Sequence, residues 1–153
     1  MSSRKRILVP LLFVATLSLL VSSASAATMS FTVPGGETVT RTLDLAVEDH
    51  VTIILTVGGQ SDSTVNFYVT LPNGTVRDFG KVGYLDYRFI CDSKGEYILH
   101  FSNADSTLEK QVTLNYEVQP YVLGVPQMFF LVIVIAVICV AAIAVFVLMG
   151  KRL

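Results

Sequence analysis

The stretch GEYILHFSNADSTLEKQVTL, from Gly95 to Leu114, sets two alternating runs on either side of a polar knot. Before the knot, Tyr97, Leu99 and Phe101 alternate with Glu96, Ile98, His100 and Ser102. After it, Val112, Leu114, Tyr116 and Val118 alternate with Thr113, Asn115 and Glu117. A period of two sends successive side chains to opposite faces of a strand, so each run reads as a half-buried β-strand. The knot, Ser102-Asn103-Ala104-Asp105-Ser106, suits a structural corner. Asn and Asp side chains there accept backbone N–H groups and tolerate left-handed φ.

The same period recurs towards the N-terminus. Val51, Ile53, Leu55 and Val57 alternate mostly with threonines, and Val65, Phe67 and Val69 alternate with Asn66, Tyr68 and Thr70. Weaker versions cover residues 29–33, 37–45, 75–79 and 85–91. Turn residues punctuate them: Pro34-Gly35-Gly36, Gly58-Gly59, Pro72-Asn73-Gly74, Gly83 and Lys94-Gly95. Seven or eight short strands without a helical period predict an all-β body, an antiparallel sandwich or barrel occupying residues 27–119. Residues 120–127, with Pro120, Gly124 and Pro126, read as a short stiff linker.

The ends of the chain are different. Of 153 residues 52% are apolar and 15% charged, and the mean hydropathy of +0.63 exceeds that of an ordinary soluble domain. Arg4-Lys5-Arg6, the apolar run Ile7 to Val21 and the small residues Ala24-Ser25-Ala26 read as a signal peptide, residues 1–26. An uncleaved anchor is the alternative. Residues 128–149 carry no charge and are long enough to cross a bilayer as a helix, leaving a tail at 150–153. Between the two apolar runs lie six basic and twelve acidic side chains, a net of −6, while the flanks are basic. That asymmetry predicts a single-pass type I protein with its β-body outside and its C-terminus in the cytoplasm.

The pattern Gly95-Glu96-Tyr97, Phe101-Ser102-Asn103, Ser106, Lys110, Val112 and Leu114 resembles the end of the Golgi-dynamics (GOLD) domain. That domain is the lumenal β-sandwich of the p24 (emp24/gp25L) cargo-receptor family. Val65-Asn66-Phe67 to Leu71-Pro72-Asn73-Gly74 resembles its central strand and turn. The resemblance implies a GOLD-like or jelly-roll-like sandwich, non-enzymatic, with a cargo or adaptor role in protein transport. His100 stands where the p24 pattern has cysteine, residues 119–127 replace a coiled coil, and Lys151-Arg152-Leu153 replaces a coat-binding tail. Phe31-Thr32-Val33-Pro34-Gly35-Gly36-Glu37, with Asn73-Gly74 and Gly95-Glu96-Tyr97, is also similar to the pre-peptidase C-terminal type of β-domain.

Catalysis needs convergent groups, and the sequence offers few. His50 and His100 lack any zinc-ligand spacing, no G-x-S-x-G elbow or phosphate loop occurs, and Asp62 is the single acid of the Gly58–Ser63 loop. No catalytic residue, cofactor or metal is expected, and an acidic ectodomain argues against nucleic acid as partner. Cys91 and Cys139 fall in different compartments, so no internal disulfide is expected; Cys91 reads as a small buried hydrophobe. Asn73-Gly74-Thr75 is a glycosylation sequon that also makes a turn. Tyr84, Asp86, Tyr87 and Arg88, beside Phe89, mix aromatic and charged side chains as recognition surfaces do, and as core pairs also do. The expected partners are the lipid bilayer and other membrane or exported proteins. Ala136, Ala141, Ala142 and Ala144 offer a helix face for homo-oligomers. Two functions stand: binding of exported or membrane proteins by the sandwich, or an accessory subunit of a membrane or envelope complex assembled through the helix.

Overall fold

The computed structural model describes residues 25–58 and 63–150. Most of the expected signal peptide, the loop residues 59–62 and the basic tail 151–153 lie outside the described residues. Two compact units divide between Pro120 and Tyr121.

In the first unit, eight strands form two antiparallel sheets. They are β1 (Ser25–Val33), β2 (Thr38–Leu45), β3 (His50–Gly58), β4 (Val65–Thr70), β5 (Val76–Val82), β6 (Tyr84–Ile90), β7 (Gly95–Ser102) and β8 (Lys110–Gln119). The first sheet has the order β1-β8-β3-β6 and the second β2-β7-β4-β5. Only the β4–β5 connection stays within one sheet; every other link crosses from sheet to sheet. That interleaving is the jelly-roll arrangement of two Greek keys.

The alternation read from the sequence decides which strands lie deepest. Val51, Ile53, Leu55 and Val57 of β3 face Val112 and Leu114 of β8, and Val65, Phe67 and Val69 of β4 face Leu99 and Phe101 of β7; all are buried. These four are the inner strands of their sheets. The outer strands β1, β5 and β6 turn mostly half-buried side chains inward, among them Met29, Phe31, Phe79, Leu85, Tyr87 and Phe89, with Val33 at the end of β1 fully buried. Aromatic rings join the two sheets. Phe31 meets Phe101 edge-on at 5.1 Å, Phe79 meets Tyr87 at 4.6 Å, and Phe89 meets Tyr97 at 5.7 Å. Each fully buried side chain of this size contributes about 1.5–3 kcal/mol of transfer free energy, so the interior is the main source of cohesion. Cys91 lies within it as a free thiol.

The polar knot is indeed a corner, built differently from the expectation. Asn103 is 3% exposed, and its amide donates to the carbonyls of Leu108 at 2.8 Å and of Val33 and Pro34 at 3.2 Å. Its backbone N–H donates to the Glu37 carbonyl at 2.8 Å, while its own carbonyl accepts from Gly36 at 3.0 Å. The side chain therefore satisfies orphaned carbonyls of two neighbouring loops rather than N–H groups, and no residue of the knot has positive φ. Gly35 sits against the same corner so closely that a Cβ would lie 2.4 Å from the Thr107 carbonyl carbon.

The second unit holds β9 (Tyr121–Val122), β10 (Val125–Pro126) and the helix α1 (Gln127–Gly150). Within the stretch read as a linker, β9 and β10 pair as a two-residue hairpin whose loop residues Leu123 and Gly124 have φ of 53° and 74°. Among the described residues ten strands thus replace the expected seven or eight, the two extra ones being too short to display a period. Residues Gln127–Val145 of α1 are long and apolar enough to cross a membrane. Large apolar side chains, including Phe129, Val132, Ile133, Val137 and Val140, are exposed along it. Without charge in its core, such a surface belongs in hydrocarbon or against other helices.

Candidate interaction surface

The four residues singled out as a recognition surface all lie on β6, an edge strand of the first sheet. Strand parity separates them. Tyr84, Asp86 and Arg88 point outward, whereas Tyr87 points inward, stacks on Phe89 at 5.2 Å and hydrogen-bonds the Arg77 guanidinium through its hydroxyl. On the outer face Arg88 grips Asp86 with two parallel bonds, Nε to Oδ1 at 3.2 Å and Nη2 to Oδ2 at 3.1 Å. Tyr84 is 64% exposed, and so is Ile90 at 61%, a residue that sequence reasoning missed. Its signal was available: it continues the outward parity of Tyr84, Asp86 and Arg88.

Register extends this strip across the sheet. Thr56, Ile54 and Thr52 of β3 stand beside Tyr84, Asp86 and Arg88, and Thr113, Asn115 and Glu117 of β8 stand beyond them. The outer face is therefore a mostly polar run, interrupted by Ile54 and carrying the Glu117 carboxylate, bordered at β6 by an aromatic, an aliphatic and a paired charge. Mostly polar ground with a few large exposed anchors is the composition of protein-binding rims and hot spots.

Three concavities open among the described residues of the jelly roll. One, of about 30 Å³, lies behind β6 among Val69, Leu71, Tyr87, Phe89 and Tyr97, room for about one water. A second, of about 200 Å³, lies at the corner among Asn66, Lys81, Ser102, Asp105 and Lys110, with Lys81 bridging Asp105 at 2.8 Å. Both are below the roughly 300–1,000 Å³ of ordinary ligand pockets; a third, of about 350 Å³, lies against Gly35, Gly36, Ala104 and Thr107 at the same corner and is lined by backbone and small side chains. Among the described residues no three His, Cys, Asp or Glu side chains converge as metal ligands do.

Two titratable groups of the interior, Cys91 and Tyr97, are held neutral. Burial, followed by the nearby Asp49 carboxylate, pushes the Cys91 thiol up to about 11. Burial and then the adjoining Cys91 push the Tyr97 phenol up to about 12; its hydroxyl donates to the Ser93 carbonyl at 3.0 Å. His100, on the outer face of the second sheet, stacks on Tyr68 at 4.4 Å with Nε2 3.0 Å from the Thr70 hydroxyl, and desolvation lowers its pKa. Neither the Cys91 thiol nor the Tyr97 phenol is poised as a nucleophile at neutral pH. Asn73 is exposed at the β4–β5 turn; its Oδ1 accepts from the Thr75 N–H at 2.9 Å, and its Nδ2 makes no bond among the described residues.

Comparison with known proteins gave structural likenesses alone. The chain is similar to PliG, a periplasmic inhibitor of g-type lysozyme, from Aeromonas hydrophila, with 20% identity over 63% of this chain and 89% of that one and a TM-score of 0.48. It is also similar to PliG of Salmonella Typhimurium, with 14% identity, 61% and 87% coverage and a TM-score of 0.45. A mutant PliG of Escherichia coli gives 15% identity, 65% and 93% coverage and a TM-score of 0.44. No protein-family model matches the chain, and no curated protein does. The fold described above rests on this chain's own strand order.

Proposed function

We propose that this chain is a membrane-anchored binding protein, not an enzyme, whose jelly roll engages other exported or membrane proteins on the non-cytoplasmic side of the membrane. The observation that carries the reading is the outer strip of β6: Tyr84 and Ile90, both more than half exposed, flank the Asp86–Arg88 pair on an edge strand. Rigid aromatic and aliphatic anchors beside a paired arginine supply affinity at low entropic cost. The apolar helix α1, with its basic tail and acidic ectodomain, supports the type I orientation. A cargo or adaptor role of the p24 kind follows from the GOLD-like resemblance, and an accessory role through α1 from the apolar side chains exposed along that helix.

Chemical crosslinking with mass spectrometry in the native membrane tests the choice. Tyr84→Ser and Arg88→Glu are expected to abolish the dominant crosslinked partner while the chain remains in the membrane. Retention of that partner by both variants, with loss on exchange of α1 for an unrelated span, would reject the sandwich as the binding element and leave the helix.

A further inference from the structure

Two sheets of four strands leave four edge strands, and three of them carry charge. β2 has Arg41 and Asp44, β6 has Asp86 and Arg88, and β5 has Arg77, Asp78 and Lys81 together with a register shift opposite Phe67 and Tyr68. Charges and bulges along an edge discourage pairing with foreign strands. β1 has neither. Ser25–Val33 contains no charged residue and no proline, and its register with β8 runs unbroken from Ser25↔Val118 to Val33↔Lys110. Among the described residues, no strand pairs with its other side. Removal of residues 1–26 would still leave the uncharged stretch from Ala27 to Val33 behind the new α-amino group.

We propose that the open edge of β1 pairs antiparallel with β1 of a second copy of this chain, fusing two first sheets into one continuous sheet. A second copy is favoured because the strand is complementary to itself. A two-fold axis through Ser30, the midpoint of Ala27 to Val33, sets Met29 against Phe31 of the other copy on the inner face. On the outer face it sets Thr28 against Thr32. Met29 and Phe31 already pack on the core cluster, so their pairing extends each hydrophobic interior into the next, with a thioether against an aromatic ring. Threonines and serines facing one another across strands hydrogen-bond through their hydroxyls. Like charges meet at no position. The guanidinium of Arg41 lies 4.4 Å above the Phe31 ring, on the inner side of the strand, and its Nη1 donates to the Thr40 carbonyl at 2.7 Å.

A single pair of short strands is a small contact. Confinement of both copies to one membrane supplies the effective concentration it needs. The contact uses the edge opposite β6, so it goes beyond the partner binding proposed above and leaves that strip open.

Disulfide trapping of the full-length chain in its membrane tests the pairing, with Cys139→Ser removing the helix thiol and Cys91 sequestered in the core. Ser30→Cys alone is expected to convert most of the chain to covalent dimer under mild oxidation, because directly opposed cross-strand positions lie within disulfide reach. Thr28→Cys alone and Thr32→Cys alone are expected to give only traces, since each faces the other residue; producing the two together in one membrane as a mixture restores the link. All three side chains are exposed on the outer face, so the strand tolerates them. Absence of dimer from Ser30→Cys, equal yields from all three single variants, or a mixture no better than its components would overturn the proposal.

Discussion

Asn103 is one of two buried polar or charged side chains among the described residues. It closes the β7–β8 corner onto the β1–β2 loop by serving three carbonyls while buried. Asn103→Ala strands those acceptors and is expected to cost about 2–3 kcal/mol, seen as a fall of roughly 10 °C or more in the melting temperature. A change of less than about 0.5 kcal/mol, within the range of ordinary surface substitutions, would show that water replaces the amide. Cys91 and Tyr97 set a pH limit. Both are held neutral by burial, with the thiol raised from 9.0 to about 11. The Cys91 contribution to stability is therefore complete below pH 9 and is lost as the pH rises towards 11, and that of Tyr97 is complete below pH 10 and is lost towards 12. Denaturant midpoints measured over that interval should fall, and Cys91→Ala should flatten the fall. His100 acts at the other end: with its folded pKa below 6.5, its contribution is present above that value and disappears as the pH drops through the folded one. His100→Gln is expected to remove part of the acid sensitivity in the same titration.

Among the elements, the strands were legible because burial follows parity, and the sites were legible only as far as parity was applied. Leu85, Tyr87 and Phe89 alternate with Tyr84, Asp86 and Arg88, so the period itself separates Tyr87 from the other three; grouping the four by composition concealed that. The β9–β10 hairpin was invisible because two-residue strands have no period, and Leu123 is an unexpected residue for a positive φ. A left-handed conformation costs a non-glycine residue about 1 kcal/mol, and Leu123 is 79% exposed. Leu123→Gly should therefore increase the hydrogen-exchange protection of the Val122 and Val125 amides; unchanged or reduced protection would mean that Leu123 makes contacts outweighing its strain. Gly35→Ala tests the corner from the other side. Its new methyl meets backbone atoms of Ser106 and Thr107, which cannot rotate away, so a loss of about 1–3 kcal/mol is expected in chemical denaturation.

At the scale of the whole molecule, the sandwich class and the apolar helix could be read from the chain, but the strand order could not. A period of two tells which face a side chain takes and says nothing about which distant strand lies beside it. β1 pairs with β8 across nearly the full length of the unit, and only tertiary packing selects that neighbour. The same reasoning explains why the open edge of β1 emerged from the structure alone: an edge is defined by the partner a strand lacks. Function depends on which side of the membrane these edges and faces reach. The most direct test uses Thr40→Cys, exposed on β2, in sealed vesicles whose cytoplasmic face is outward, treated with a membrane-impermeant maleimide. The account predicts no labelling until detergent opens the vesicles, while Lys151→Cys in the tail labels at once. Labelling of Thr40→Cys in the sealed vesicles would contradict it.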